Sequence, residues 1–309
     1  MKNYFRIMLG KKSVHAAECF AGGFIGSGFG GIVRDVSGDL TDDFRSFSQR
    51  FIPEMQAISP DKSKIALGLW CGFAWTICKN IRIGDIVLCP DGSGNYHVGE
   101  VTGPYFYVEG GTLPHRRPVH WLDKTIARAE MSDALRNSAG SIGTVSELSK
   151  YSDELGKLIG EDAPPALIAT DCTVEDPAAF ALEKHLEDFL VQNWGGTELG
   201  KAYDIFEEEG ERVGQQYLTD TGPVDILAVS KDRKSLLVVE LKKGRASDVV
   251  VGQTLRYMGY VQEALAEPGQ IVRGVIIALE DDNRLRRALA MTPNIEFFRY
   301  QISFKLIRV

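Results

Sequence analysis

The chain has 309 residues, 44% hydrophobic and 25% charged. This balance excludes wholesale disorder and, at the usual domain size, predicts two domains. The five cysteines, at 19, 71, 78, 89 and 172, are odd in number and form no CxxC pair, which argues against a disulfide framework or a zinc ribbon and fits a reducing cytoplasm. A net charge of −7 argues against tight nonspecific binding to nucleic acid but leaves room for a local basic face.

No apolar run reaches the ~18 residues of a membrane span. Met1 to Leu9 carries Lys2 and Arg6 but no apolar core, so no secretory signal is expected. The first ~125 residues are rich in glycine and aromatics. Phe44, Phe47, Phe51 and Met55 recur at helical spacing and predict a helix over 40–55. Short runs at 81–88, 96–101 and 105–108, punctuated by Asp91-Gly92-Ser93-Gly94-Asn95 and Thr102-Gly103-Pro104, predict strands of a small mixed β-barrel. Gly22 to Gly31 is glycine-rich but lacks the Gly-Lys-Ser/Thr ending of a phosphate loop. The five histidines, 15, 97, 115, 120 and 185, show no zinc spacing.

Residues 126–176 change character and are expected to form a partly helical linker. Residues 131–176 hold 3 basic and 9 acidic side chains, so most of the excess charge lies there. From 177 an amphipathic helix is expected to about Trp194. Strands follow at 224–229 and 235–241, a helix at 248–267 and a buried strand at 272–278. A helix at 284–291 and strands at 295–300 and 303–307 complete the pattern. This order predicts an α/β domain around a mixed sheet over residues 177–309.

Chemistry concentrates in Gly222-Pro223-Val224-Asp225 and, fifteen positions on, Glu240-Leu241-Lys242. Residues two apart on a strand share a face, so Glu240 and Lys242 point the same way, and a neighbouring strand can set Asp225 beside them. Two converging carboxylates, with the Leu241 carbonyl, suit a hard cation such as Mg²⁺ or Mn²⁺. The lysine can orient water and offset charge on a phosphate.

Asp225 with Glu240-x-Lys242 resembles the PD-(D/E)XK nuclease superfamily, and Gln253-Thr254-Leu255-Arg256-Tyr257 is similar to the QxxxY motif of its NucS and RecB-type branches. The resemblance covers about residues 178–309 and implies a restriction-endonuclease-like fold and metal-dependent DNA hydrolysis. It assigns catalytic roles to Asp225, Glu240, Lys242, Gln253 and Tyr257. It also implies a glutamate on the first helix, for which both Glu183 and Glu187 qualify; Glu183 lies nearer the apolar stripe and is slightly favoured. Lys243, Arg245 and Arg256 are candidate phosphate contacts.

Ile83-Gly84-Asp85-Ile86-Val87, Gly99 to Tyr105 and Pro114 to Trp121 resemble EVE-like domains of the PUA superfamily, over residues 1–125. That resemblance implies a pocket for a flipped, modified base. Trp70, Phe73, Trp75, Tyr105, Tyr107 and Trp121 would stack. Asp85 and Glu100 would read an exocyclic amine, and Arg116 and Arg117 would clamp phosphate. Together the two resemblances imply a modification-dependent DNA endonuclease. A NucS-like nuclease selecting mismatched or branched DNA, and a non-catalytic nucleic-acid-binding module, are the competing expectations. A homodimer is expected if both strands of a duplex are cut.

Overall fold

A computed structural model describes residues 2–140, 143–160, 186–208 and 211–300. The chain divides into two compact units, residues 1–171 and 172–309. Each is a strongly curled mixed sheet with helices packed on it. Among the described residues no helix is long and apolar enough to cross a membrane.

In the first unit the strands are β1 (Tyr4–Ile7), β2 (Phe24–Ser27), β3 (Ile86–Pro90), β4 (Asn95–Val101), β5 (Phe106–Tyr107), β6 (His115–Ala127) and β7 (Val145–Glu147). Their order is β2-β6-β4-β3-β1-β7, with β5 on β6. Among the described residues of this unit only the β1–β3 pairing is parallel. The expected barrel is therefore a curled sheet whose path ends at β2 and β7. Its helices are α1 (Ala16–Gly22), α2 (Phe44–Ile58), α3 (Lys64–Trp75), α4 (Asp133–Ala139) and α5 (Ser152–Ile159). Asp43 caps α2 by accepting from the Ser46 N–H, which starts this helix later than the periodicity suggested.

Side chains alternate across the sheet. Phe5, Ile7, Val87, Cys89, Val101 and Val119 line one face with α1 residues such as Cys19. Tyr4, Ile86, Leu88, Tyr96, Val98 and Ile126 line the other. Onto this second face pack Met131, Leu135, Ala139, Leu148 and Leu155. Residues 126–159, expected to open a linker, thus belong to the first unit. The β7 strand completes it by pairing with β1, 140 residues away, from Phe5↔Glu147 to Ile7↔Val145.

Among the described residues the second unit opens with α6 (residues 186–192) and α7 (Glu198–Ala202); the first part of the helix expected from 177 lies outside them. Its strands are β8 (Tyr203–Ile205), β9 (Glu207–Glu208), β10 (Glu211–Arg212), β11 (Gln215–Thr219), β12 (Gly222–Ser230), β13 (Ser235–Arg245), β14 (Ile271–Glu280) and β15 (Ile295–Arg299). Helix α8 (Asp248–Tyr260) precedes β14, and α9 (Asn283–Ala290) follows it. The main sheet runs β11-β12-β13-β14-β15, with β8 also on β12. Pairing is antiparallel through β13 and parallel beyond it. Sequence periodicity anticipated β12 to β15, α8 and α9 but passed over β8 to β11, which are short and polar. The strand expected at 303–307 lies outside the described residues.

Val191, Trp194 and Leu199 pack on one face of this sheet, against Ile226, Ala228, Leu237, Val239, Leu241, Val275 and Ile277. Helix α8 covers the opposite face. The contact is close because Gly274 of β14 has no side chain: a Cβ there would lie 2.7 Å from Met258 Sδ and 2.9 Å from Thr254 Cγ2. Gly274 pairs with Val238, which shares a face with Glu240 and Lys242. The α8 helix therefore sits over the face that carries those two residues.

Candidate active site

Ile226 pairs with Val239 across β12 and β13. One step further along this register Asp225 stands opposite Glu240, and directly opposed residues share a face. The Leu241 N–H donates to Asp225 Oδ2 at 2.7 Å. A strand residue's N–H and C=O point the same way, so the Leu241 carbonyl also faces Asp225. Lys242 Nζ lies 3.3 Å from Glu240 Oε1. Glu240 is buried and Lys242 half-buried.

From α8, Gln253 Nε2 donates to the Tyr257 hydroxyl at 3.3 Å. That hydroxyl lies 3.4 Å from where a Cβ on Gly222 would stand, and Gly222 has φ 122°. Tyr257 thus reaches across the sheet to the turn that begins β12. Burial raises its phenol pKa, helped by the nearby Glu240 and Asp225 charges. Burial also holds the Asp225 carboxyl well above the usual carboxylate range, reinforced by Glu240 and then by Glu187.

Glu187, on α6, is buried. Its carboxylate accepts from Gln215 Nε2 at 2.5 Å and from Gln216 Nε2 at 2.6 Å. Gln216 Nε2 also donates to Asp225 Oδ1 at 3.1 Å. Of the two helix glutamates, Glu187 is thus the one seen at the site; the favoured Glu183 lies outside the described residues. The two glutamines were missed, because nothing in the sequence marks adjacent strand residues as reaching one carboxylate.

Asp225, Glu240 and the Leu241 carbonyl are the oxygens that converge. Among the described residues no group of three or more His, Cys, Asp or Glu side chains could hold a metal ion by itself. Gln216 stands between Asp225 and Glu187, and Lys242 lies against Glu240. The donor set still suits a hard cation, since acidic side chains crowded until one resists ionisation are relieved by positive charge. Of the expected phosphate contacts, Arg245 and Arg256 are exposed. Lys243 is half-buried, and its carbonyl accepts from the Tyr300 hydroxyl.

Residues 182–303 match the family model of the endonuclease NucS C-terminal domain. The second unit is therefore similar to the C-terminal domain of endonuclease NucS. Endonuclease NucS of Sulfolobus acidocaldarius is 29% identical over 133 residues, covering 42% of this chain and 46% of that protein. Endonuclease NucS of Methanocaldococcus jannaschii is 31% identical over 119 residues, covering 37% and 44%. The chain thus spans less than half the length of these curated relatives. A solved repair endonuclease from Pyrococcus abyssi is 17% identical over 69% of this chain and 66% of its own, with a TM-score of 0.31. Residues 5–149 match a separate family model, a domain of unknown function (DUF8426). That match also runs through part of the stretch expected to be linker.

The first unit's expected base-reading residues are largely taken up by its own structure. Arg117 is buried, donating to the Gly103 carbonyl at 2.9 Å and the Ile81 carbonyl at 2.6 Å, so it is no surface clamp. Arg116 donates to the Leu113 and Thr112 carbonyls at 3.1 and 2.6 Å and lies 3.7 Å over the Phe24 ring. Asp85 is buried and accepts from the Asn3 and Arg82 N–H groups. Trp75 is buried against Phe44 and Phe47. Tyr105 hydrogen-bonds His115 at 2.9 Å, and Trp121 donates to the Cys19 carbonyl at 3.2 Å. Glu100 lies 3.6 Å from Lys2. Trp70 is half-buried, with Lys62 Nζ 5.2 Å from its ring centroid.

Proposed function

We propose that this chain is a divalent-metal-dependent DNA endonuclease of the NucS type that selects DNA by structure, at mismatches, branches or single-stranded segments. The observation that carries this reading is the convergence of Asp225, Glu240 and Lys242 under Gln253 and Tyr257, within the domain that matches NucS. Mg²⁺ or Mn²⁺ would be held by Asp225, Glu240 and the Leu241 carbonyl, and would supply Lewis acidity at the scissile phosphate. Glu187 completes the acidic set from the helix side. The Lys242 ammonium orients a water beside Glu240 and offsets the charge that gathers on the phosphate oxygens. Tyr257, held by Gln253, lies against the turn that begins β12.

The competing reading gives the first unit a pocket for a modified base. It ranks second because Arg117, Asp85 and Trp75 are committed to that unit's interior. A single site of this kind cuts one strand, so double-strand cutting would use two copies of the chain.

A cleavage assay with Mg²⁺ or Mn²⁺ tests the proposal. The substrates are mismatched, branched and single-stranded DNA beside intact duplexes with plain or modified cytosines. We expect cutting of the mismatched or branched substrates, abolished in Asp225→Ala and Lys242→Ala. Cutting confined to modified duplex would transfer selection to base reading by the first unit. No cutting of any substrate, or equal cutting by both variants, would refute the proposal.

A further inference from the structure

Along the β11–β12 ladder Gln215 pairs with Ile226 and Tyr217 with Val224. Gln216 falls between them, opposite Asp225. On a regular strand neighbouring side chains point to opposite faces, so Gln215 and Gln216 could not meet on one partner. Here they do: both amides donate to Glu187, at 2.5 and 2.6 Å. The reason is the backbone at Gln216, whose φ of 52° is in the left-handed region that L side chains avoid. With that backbone the two neighbouring amides reach the same carboxylate. The Gln216 Nε2 meets Glu187 Oε2 from α6 and Asp225 Oδ1 from β12, the latter at 3.1 Å. Between two carboxylates only the NH₂ end of the amide can face inward, which fixes its orientation.

We propose that Gln216 is a positioning residue of the nuclease site. Its amide ties the helix carboxylate Glu187 to the strand carboxylate Asp225, so that both act on one cation. The inference rests on the reading of this site as a metal-dependent nuclease. An unfavoured backbone conformation persists only where the surroundings enforce it, and such positions cluster at functional sites. The amide bridge gives this one a use.

The test compares the full chain with Gln216→Gly and Gln216→Glu. Glycine accepts the left-handed backbone, which offsets part of the stability lost with the two amide hydrogen bonds, so the variant should still fold cooperatively. Mn²⁺ binding to the DNA-free protein, followed by calorimetry, should weaken by about 10- to 100-fold, the range found for groups that orient metal ligands. The kcat should fall by a similar factor with KM for DNA unchanged, and added Mn²⁺ should restore part of the rate. Gln216→Glu keeps the length but places a third carboxylate between the two, so it should not rescue cutting at low Mn²⁺. Wild-type Mn²⁺ affinity and kcat in Gln216→Gly would overturn the proposal, as would a wild-type chain that binds no Mn²⁺. A wild-type chain that binds Mn²⁺ but cuts no DNA would sink the nuclease reading alone, because the ratio of affinities would still decide the role of Gln216.

Discussion

Gly274→Ala tests whether helix α8 is held at the separation the site needs. The added methyl would lie 2.7 Å from Met258 Sδ, 2.9 Å from Thr254 Cγ2 and 3.1 Å from Ile295 Cγ1. The methionine sulfur sits near the end of a flexible chain and can swing away. Thr254 cannot: it is β-branched and fully buried, and its hydroxyl is bonded to the Val250 carbonyl at 2.9 Å. Relief therefore requires α8 to lift off the sheet by a few tenths of an ångström. Overpacking of this kind costs about 1–3 kcal/mol. Alanine in place of glycine in a strand returns about 0.5–1 kcal/mol. The net loss should be about 1–2 kcal/mol, or roughly 3–8 °C in the midpoint of this unit.

Urea unfolding, with hydrogen exchange read at the α8 amides, gives both size and place. Thr254→Ser removes the clashing methyl and should by itself cost about 1 kcal/mol of burial. In the Gly274→Ala background it should cost nothing or restore stability, a coupling of about 1 kcal/mol. Gln253 and Tyr257 ride on α8, so cleavage should weaken in Gly274→Ala and recover in the double variant. Unchanged stability in Gly274→Ala, or strict additivity with Thr254→Ser, would refute the close-approach argument.

Other outcomes follow from the same physical terms. The Asp225 carboxyl is held above its ordinary range, chiefly by burial. Its contribution to stability is therefore present at low pH and lost as pH rises through the folded-state pKa. With EDTA at about pH 7.5, Asp225→Asn should unfold at a higher temperature than wild type while losing cleavage; the gain should vanish below about pH 4. Burial lowers the His115 pKa; one ring nitrogen lies 2.7 Å from the Ile32 carbonyl and the other 2.9 Å from the Tyr105 hydroxyl. Its contribution is full above the unfolded value of about 6.5 and is lost as pH falls through the folded pKa. His115→Gln should flatten the acid slope of the first unit's urea midpoint. Arg117→Ala strands two buried carbonyls at about 1–3 kcal/mol each, so about 2–6 kcal/mol of stability should go. Lysine should not restore it, because it lacks the guanidinium fork, and DNA affinity at a temperature where the variant is folded should not change.

The face that carries the candidate site was legible because its signals are periodic. A spacing of two puts Glu240 and Lys242 on one side of a strand, and a spacing of four puts Gln253 under Tyr257 on a helix. Gln216 was not legible, since its reach depends on a backbone twist that a glutamine does not advertise. Glu187 was ranked second because a helical wheel measures distance from an apolar stripe. What fixes Glu187 is the pair of amides arriving from another strand. Arg117 and Trp75 look like surface chemistry in the sequence, yet nonlocal packing buries them: Arg117 closes over carbonyls 14 and 36 positions away. Residues 126–159 read as a linker because their apolar side chains find partners only on a sheet made largely by earlier residues.

The central place of β1 has a consequence for synthesis. It pairs in parallel with β3 and antiparallel with β7, which lie about 80 and 140 residues later. At about 5–20 residues per second, a ribosome needs roughly 7–28 s after making β1 to deliver the last of these neighbours. Throughout that interval Tyr4, Phe5 and Ile7 leave the ribosome with at least one strand edge uncovered. A truncation before residue 145, which leaves the β7 side of β1 unpaired, should therefore aggregate where the full chain stays in solution.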